Sequence, residues 1–188
     1  MTSITPQHQD RHAKARVTVD AALFHYDRKM HALKVLLVER LNPPCQGAWA
    51  LPGGFLDEDD QSLEQAACRE LMEETSITLP QSRFFSCGSF GDIGRDPRGR
   101  TITAAYVALI SSDEASTASA ASDARSLSFF NIADLPELAF DHGAIIQAAL
   151  LTLVLRLGSR FQIDNLVPES LFADLDSAVD LATGLILT

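Results

Sequence analysis

Residues 50–77 read ALPGGFLDEDDQSLEQAACRELMEETSI, the stretch that decides the fold of this 188-residue chain. Its Pro-Gly-Gly segment and the acidic run DEDD, residues 57–60, predict a turn followed by a loop. A helix is predicted from about residue 62 to residue 75, with Ser62 or Asp60 as its N-cap. The chemistry of the stretch therefore depends on the side chains that this helix carries.

Glu70, Glu73 and Glu74 are spaced three and four residues apart, which places them on one face of the predicted helix. Like-charge pairs at this spacing destabilise a helix by about 0.2–0.5 kcal/mol each. Two interpretations are open: a solvated Glu-rich helix end, or a carboxylate cluster that faces a pocket and a hard divalent cation. The glutamates continue the apolar stripe of the helix, which favours the second interpretation, in which they face a pocket. The stripe consists of Leu63, Ala66, Ala67 and Leu71.

The stretch resembles the Nudix box, G-x5-E-x7-R-E-U-x-E-E-x-G-U, in which U is an aliphatic residue. Residues 69–74 match its REUxEE core. Gln61 stands at the earlier glutamate position, and one extra residue lies in the preceding loop, where Glu58 or Asp60 is a candidate to compensate. Ser76 replaces the glycine of the box. Because the core is intact, these departures bear on rate more than on family membership.

The resemblance extends outside the box, over about residues 16–150. The chain is similar to the branch that contains ADP-ribose pyrophosphatases and to Nudix-related transcriptional regulators of NAD metabolism. This similarity is carried by the segments VTVDAALFHYD, LKVLLVERLNPPCQGAWALPGGF, FGDIGRDPRGRTITAAYVALI and LPELAFDHGAII. It implies an α/β fold, the Nudix-type α/β/α sandwich with a mixed sheet. The predicted order of strands and helices independently favours the same architecture.

The resemblance also implies a set of site residues. Glu73, Glu74 and the carbonyl of Gly53 would bind a divalent cation, Mg²⁺ or Mn²⁺, with Glu70 as a further ligand or as the base. Arg69 would orient the carboxylates. A Gly-Gly turn suits such a site because it lets the backbone approach a ligand closely.

A basic loop is the second candidate part of the site. GRDPRGR carries Arg95, Arg98 and Arg100, and Arg40, at the end of a predicted strand, is a further candidate to face the pocket. Guanidinium groups suit bidentate contacts to phosphate, so these four arginines are predicted to bind substrate. The alternative is a turn with solvated charges.

Other polar and aromatic residues receive structural predictions. Trp49 is predicted to pack in the core rather than to stack on a base. His142 is predicted to lie at a helix start or in the core. Asp113 and Glu114 are predicted to be solvated loop charges, with a further site carboxylate as the alternative.

Composition limits the partners. Fifteen Lys and Arg against twenty-five Asp and Glu give a net charge of −10, which disfavours nucleic acid and anionic membranes as partners. The three cysteines have no metal-site or disulfide spacing, and the N-terminal sequence lacks the apolar run of a signal peptide. A cytoplasmic protein is therefore expected. The family resemblance further suggests a homodimer.

The chain is predicted to hold a disordered leader at residues 1–14, the Nudix domain at 15–158 and a short helical extension at 159–188. A loop is predicted at residues 111–124. The remaining predicted elements are strands at 17–27, 34–41, 83–92, 100–110 and 126–132, and a helix at 142–157.

The predicted function is metal-dependent hydrolysis of the pyrophosphate in a nucleoside diphosphate linked to a small molecule, first of all ADP-ribose to AMP and ribose 5-phosphate. Two alternatives remain: an ADP-ribose-sensing transcriptional regulator, and a catalytically silent ADP-ribose-binding protein. The segment after Asn131 contains Arg156 and Arg160 as its cations against eight Asp or Glu, which opposes a DNA-reading module.

Overall fold

The computed structural model describes residues 14–120, 124–157 and 180–184. Nearly all of the predicted leader and most of the predicted C-terminal extension lie outside these residues. The elements, in chain order, are β1 (Arg16–Asp27), β2 (Ala32–Arg40), β3 (Trp49–Ala50), β4 (Gly53–Phe55), α1 (Leu63–Thr75), β5 (Phe85–Phe90), β6 (Thr101–Ile110), α2 (Ser112–Ser116), β7 (Ala124–Asn131) and α3 (His142–Leu157), with a 3-10 turn at Gln81–Arg83.

Within the described residues the strands form one mixed sheet with the order β3-β2-β1-β6-β5. β1 pairs in parallel with β6 from Arg16 to His25, and its last residues pair antiparallel with β2. β4 pairs antiparallel with β1 at residues 18–20, and β7 pairs antiparallel with β2. The pairing of β4 brings the glycine turn against the first half of the central strand.

Side chains of β1 and β6 alternate between two apolar layers, as expected for strands covered on both faces. The layer under α1 includes Val19, Leu23, Leu71, Tyr106 and Ile110. The layer under α3 includes Phe24, Leu37, Val107, Ile145 and Leu153. The predicted α/β/α sandwich with a mixed sheet is therefore confirmed.

The two ends of α1 follow from single residues. Ser62 is the N-cap, because its hydroxyl accepts a hydrogen bond from the Gln65 N–H at 3.1 Å. Ser76 ends the helix in the left-handed conformation, with φ 61°, and its N–H donates to the Met72 carbonyl. Ser76 thus takes the backbone conformation for which the glycine of the box is suited.

The predicted loop at residues 111–124 contains the short helix α2, so that part of the prediction is wrong. Ser111 and Glu114 form a capping box, in which each side chain accepts from the backbone N–H of the other. Glu114 also pairs with Arg83 at 3.0 Å. The Glu114 carboxylate is therefore bound within the protein rather than solvated as predicted, and it does not line the candidate site.

Residues 180–184 are helical, and Ala182 is fully buried in the α3 layer. This is the part of the predicted C-terminal helix that the structure describes, and the domain boundary at residue 158 stays a prediction. No helix among the described residues has the length and apolar character needed to cross a membrane.

Candidate active site

A pocket of about 420 Å³ opens where the glycine turn, the C-terminal half of α1, the loop before β6 and the start of α3 meet. Its volume lies in the range of about 300–1,000 Å³ that is typical of small-molecule sites. The predicted site residues that line it are Arg40, Gly53, Arg69, Glu70, Glu73, Glu74, Arg95 and Arg98. Arg100 is exposed and does not line the pocket.

The three box glutamates differ in burial. The side chain of Glu70 is 14% exposed, whereas that of Glu73 is 51% exposed. Glu74 is half-buried and accepts a hydrogen bond from the Gly53 N–H at 3.0 Å. The buried stripe of α1 therefore continues into Glu70 and Glu74, while Glu73 lies at the solvent-facing rim.

Close packing explains both glycines of the turn. A Cβ atom on Gly54 would lie 2.5 Å from the carboxyl carbon of Glu70. A Cβ atom on Gly53 would collide with the backbone oxygen of Val19 and lie 2.8 Å from the Asp20 carboxylate. Only a residue without a side chain allows the turn to approach the carboxylates this closely.

Burial changes the acidity of two of the glutamates. Desolvation raises the pKa of Glu74 to about 8, and the hydrogen bond from Gly53 offsets only part of this effect. Desolvation also raises the pKa of Glu70, against the lowering effect of Arg69. The protein groups around these two carboxylates therefore supply too little positive charge to offset their desolvation.

Arg69 joins α1 to the acidic loop that precedes it. Its guanidinium donates to both carboxylate oxygens of Asp60, at 3.1 and 2.8 Å, and to the carbonyl of Phe55. It also contacts Glu70 at 2.9 Å and Glu73 at 3.1 Å. Hydrogen bonding to Asp60 raises the pKa of Arg69, and the same contact lowers the pKa of Asp60.

Of the two acids that are candidates to replace the missing glutamate of the box, Asp60 is the one that Arg69 binds, and its compensating role stays a prediction. Its side chain is 3% exposed, and Arg69 binds it through two nitrogen atoms. Gln61 and Glu58 are exposed instead. The extra loop residue explains the shift, because it places the acid one position before Gln61.

The donor set of the pocket fits a hard divalent cation. Carboxylate oxygens are the ligands that Mg²⁺ and Mn²⁺ prefer, and two of the carboxylates are desolvated. In the described part of the chain, however, no three His, Cys, Asp or Glu side chains already converge as a metal-binding group. Arg69 accounts for this arrangement in part, since it holds Glu70 and Glu73 through its own guanidinium. Gly53 faces the cluster through its N–H; the predicted role of its carbonyl stays a prediction.

The predicted substrate arginines have different environments. The Arg95 side chain is 5% exposed and binds both oxygens of Asp141, at 2.8 and 2.6 Å. Arg98 is more exposed and pairs with Asp96 at 2.8 Å. Arg40 donates to the Pro44 carbonyl at 2.9 Å. Arg40 and Arg98 therefore present cationic groups to the pocket, whereas Arg95 mainly stabilises its wall.

A buried polar network at the pocket floor was not predicted. Asp20 accepts a 2.6 Å hydrogen bond from the Thr103 hydroxyl and lies 3.6 Å from Nε2 of His142. Nδ1 of His142 accepts the Leu51 N–H at 2.8 Å. Burial lowers the pKa of His142. One sequence signal was available, because Asp20 is an acid within the run VTVDAALF, residues 17–24, in which Thr18 is the other polar residue.

Trp49 lies outside the pocket lining. Its ring contacts Phe130 edge-on, with 4.6 Å between the ring centroids, and packs against the α3 layer. This agrees with the packing role predicted for it.

Comparison with known proteins gives the family. The NUDIX domain model matches residues 14–149, so the chain belongs to the Nudix family. An ADPR-responsive transcriptional repressor, NtrR, of Acinetobacter baylyi is 39% identical over 134 residues, which cover 71% of this chain and 52% of the repressor. An ADP-ribose pyrophosphatase of Methanocaldococcus jannaschii is 39% identical over 114 residues, covering 61% of this chain and 64% of that enzyme.

Solved structures agree with this assignment. The Nudix domain of Shewanella oneidensis NrtR, determined in complex with ADP ribose, is 36% identical and has a TM-score of 0.65. The match covers 79% of this chain and 94% of that domain. The chain spans between about half and two thirds of the length of the two curated relatives.

Proposed function

We propose that this chain hydrolyses the pyrophosphate bond of a nucleoside diphosphate linked to a small molecule, in a reaction that requires a divalent cation. The observation that carries the proposal is the placement of Glu70 and Glu74, two desolvated carboxylates, under a glycine turn in a pocket that also contains arginines. Such an arrangement combines oxygen ligands for a cation with donors for an anionic substrate.

Each residue receives a specific task in this proposal. Glu70, Glu73 and Glu74, with the Gly53 carbonyl, would hold Mg²⁺ or Mn²⁺, and Glu70 is also a candidate base. When bound, the cation supplies positive charge that offsets the charge of the pyrophosphate in the transition state. Arg69 orients the carboxylates through its contacts with Glu70 and Glu73.

The substrate side of the pocket is assigned to Arg40 and Arg98, while Arg69 and Arg95, which also line the pocket, are assigned to holding the glutamates and the wall. ADP-ribose is the first candidate substrate, because one relative is named an ADP-ribose pyrophosphatase and a structural neighbour was solved with ADP ribose. The expected products are AMP and ribose 5-phosphate. Cytoplasmic location and homodimer formation remain predictions from the sequence.

A panel assay tests the proposal. The chain is incubated with ADP-ribose, NADH, sugar nucleotides and oxidised nucleotides, each with Mg²⁺, with Mn²⁺ or with EDTA, and the products are resolved by chromatography. We expect cleavage at the pyrophosphate with either metal and none with EDTA. Cleavage of another compound, with ADP-ribose intact, would retain the reaction and change the substrate. No cleavage of any compound would refute the proposal.

The second candidate function is that of a regulator, favoured by the 39% identity to the repressor of Acinetobacter baylyi. The net charge of −10 opposes it, because contacts to the DNA backbone require cations. A mobility shift with the duplex upstream of its own gene, with and without ADP-ribose, distinguishes the two. Sequence-specific binding at physiological salt, together with no hydrolysis in the panel, would select the regulator.

A further inference from the structure

Phe140, a residue that lines the pocket, has an unusual backbone conformation. Its φ is 53°, in the left-handed region that bulky side chains rarely adopt. The residue lies two positions before the start of α3, and its half-buried side chain lines the pocket. A strained aromatic residue at this place requires an explanation in terms of what its side chain contacts.

The next two residues each support the pocket wall. Asp141 binds the Arg95 guanidinium through both carboxylate oxygens. His142 accepts the backbone N–H of Leu51, at the start of the glycine turn. Phe140 and His142 line the pocket themselves, and Asp141 holds the lining residue Arg95. Of these three side chains, the Phe140 ring is the one with no hydrogen-bonding group.

The Phe140 ring lies beside two cations. The Arg40 guanidinium carbon is 4.9 Å from the ring centroid, and that of Arg98 is 5.8 Å away. Arg98 also lies 5.2 Å from the centroid of the Phe55 ring. These distances are within the range of about 6 Å for cation–π contacts, so the aromatic faces hold both guanidinium groups.

The two guanidinium groups repel each other. Burial lowers the pKa of Arg40, and the charge of Arg98 lowers it further. Arg98 is paired with Asp96, but Arg40 donates to the carbonyls of Pro44 and Asn42, and no carboxylate among the described residues pairs with it. One anionic group placed between the guanidinium groups would relieve this repulsion and accept from both.

We propose that Phe140 is a positioning residue whose ring holds Arg40 and Arg98 at the pocket wall so that both bind one phosphate-type anion. The inference rests on the proposed function for the identity of the substrate, but the anion subsite itself does not require turnover. Because the cations already occupy the ring, the ring is not assigned to stacking on a base.

Inorganic pyrophosphate, without divalent cation, is the probe, and adenosine is the uncharged comparison. Calorimetric titration compares the wild-type chain with Phe140→Leu, which keeps an apolar side chain at the same strained position, and Phe140→Tyr, which restores the ring. We expect pyrophosphate affinity to fall by about five- to thirty-fold in Phe140→Leu, the loss of two cation–π contacts, and to recover to within about two-fold in Phe140→Tyr.

Phe130→Leu is the matched control, because Phe130 packs on Trp49 outside the pocket. It should lower the melting temperature without changing pyrophosphate affinity. In turnover assays Phe140→Leu should raise KM at nearly constant kcat. Equal pyrophosphate affinity of the wild type and Phe140→Leu, no pyrophosphate binding by the wild type, or a larger loss for adenosine would each overturn the inference. Pyrophosphate binding that depends on the ring in a chain with no hydrolase activity would support it and refute only the proposed function.

Discussion

Glu74 is the residue at which burial and charge conflict most directly. Its carboxyl group is half-buried, accepts the Gly53 N–H, and has a pKa raised to about 8 by desolvation. Without a bound cation, this carboxyl group is therefore expected to keep its proton to a higher pH than an exposed glutamate does. Any cation that the site binds must favour the ionised form, so Glu74 links the pH dependence of the fold to the occupancy of the pocket.

This conflict predicts how stability depends on pH. Because the folded-state pKa of about 8 lies above the ordinary value of 4.5, the folded chain binds more protons between these two values. Metal-free stability should therefore fall as pH rises through this window, by up to about 1.4 kcal/mol per pH unit from this group. Glu74→Gln retains an acceptor for Gly53 and removes the titration.

Thermal unfolding in EDTA from pH 4 to pH 9 measures the difference. The melting temperature of Glu74→Gln should equal that of the wild type near pH 4. At pH 8–9 it should be higher, by about 2–4 °C for each kcal/mol of unfolding free energy that the wild type loses. The exposed Glu137 provides the control, Glu137→Gln, whose curve should follow that of the wild type. Parallel curves for Glu74→Gln and the wild type across the whole range would contradict the assigned burial.

Arg98 and Arg100 give a second prediction at this scale. Arg98 lines the pocket, whereas Arg100 is exposed outside it. Arg98→Ala should weaken substrate binding by about 1–3 kcal/mol, the range for hydrogen bonds to charged groups. Arg100→Ala should leave KM and kcat unchanged. Steady-state kinetics of both variants measure this difference. An equal loss of substrate binding in Arg98→Ala and Arg100→Ala would show that Arg100 belongs to the substrate site, as the sequence predicts.

At the scale of elements, the link between the acidic loop and α1 depends on Asp60. Asp60→Asn keeps the shape of the side chain but removes the charge that Arg69 binds at 2.8 Å. We expect a loss of about 1–3 kcal/mol in unfolding free energy, because the buried charge of the pair is left partly uncompensated. Gln61→Ala, at the box position itself, should stay within about 0.5 kcal/mol. Denaturant unfolding measures both, and the reverse ranking would contradict the assignment of Asp60.

The end of α1 offers a stabilising substitution. Ser76 adopts φ 61°, which costs a non-glycine residue free energy that glycine does not incur. Ser76→Gly should therefore raise the unfolding free energy by about 0.5–1 kcal/mol, less whatever is lost with the 3.0 Å hydrogen bond from Ser119. A melting curve tests this prediction. A lower melting temperature would show that the link to Ser119 outweighs the backbone strain.

Most helices and strands were predicted correctly because caps and apolar periodicity are visible within a few neighbouring residues. Ser62 and the apolar stripe of α1 fix that helix, and alternating or continuous apolar runs fix the long strands. The short helix α2 was predicted as a loop. The Ser111–Glu114 capping box indicates a helix start there, but the small residues of the same segment indicate a loop.

For the molecule as a whole, the candidate site is assembled from distant parts of the sequence. The box glutamates and Arg69 form a local motif, so they were found from sequence. Asp20 and His142 lie on β1 and α3, 122 residues apart, and only the sheet and the helix that covers it bring them together. The separation of Arg98 from Arg100 depends on loop geometry, which residue type alone does not determine.

The charge of the pocket differs from the net charge of the whole chain. The chain carries a net charge of −10, yet Arg40, Arg95 and Arg98 line the same pocket as the box glutamates. Under the proposed function, an anionic substrate would meet these local cations, while the net negative charge would disfavour polyanions such as duplex DNA. This distribution fits a small anionic substrate.

The rate of AMP release from ADP-ribose in Mg²⁺ tests the central claim most directly. It is measured for the wild-type chain and for the double variant Glu73→Gln/Glu74→Gln, with folding checked by circular dichroism. The wild type should release AMP and ribose 5-phosphate, and the folded double variant should be slower by at least about a thousand-fold, because two ligand charges are removed from the cluster. A double variant as active as the wild type, or a wild-type chain that leaves ADP-ribose and every other nucleoside diphosphate derivative intact, would contradict it.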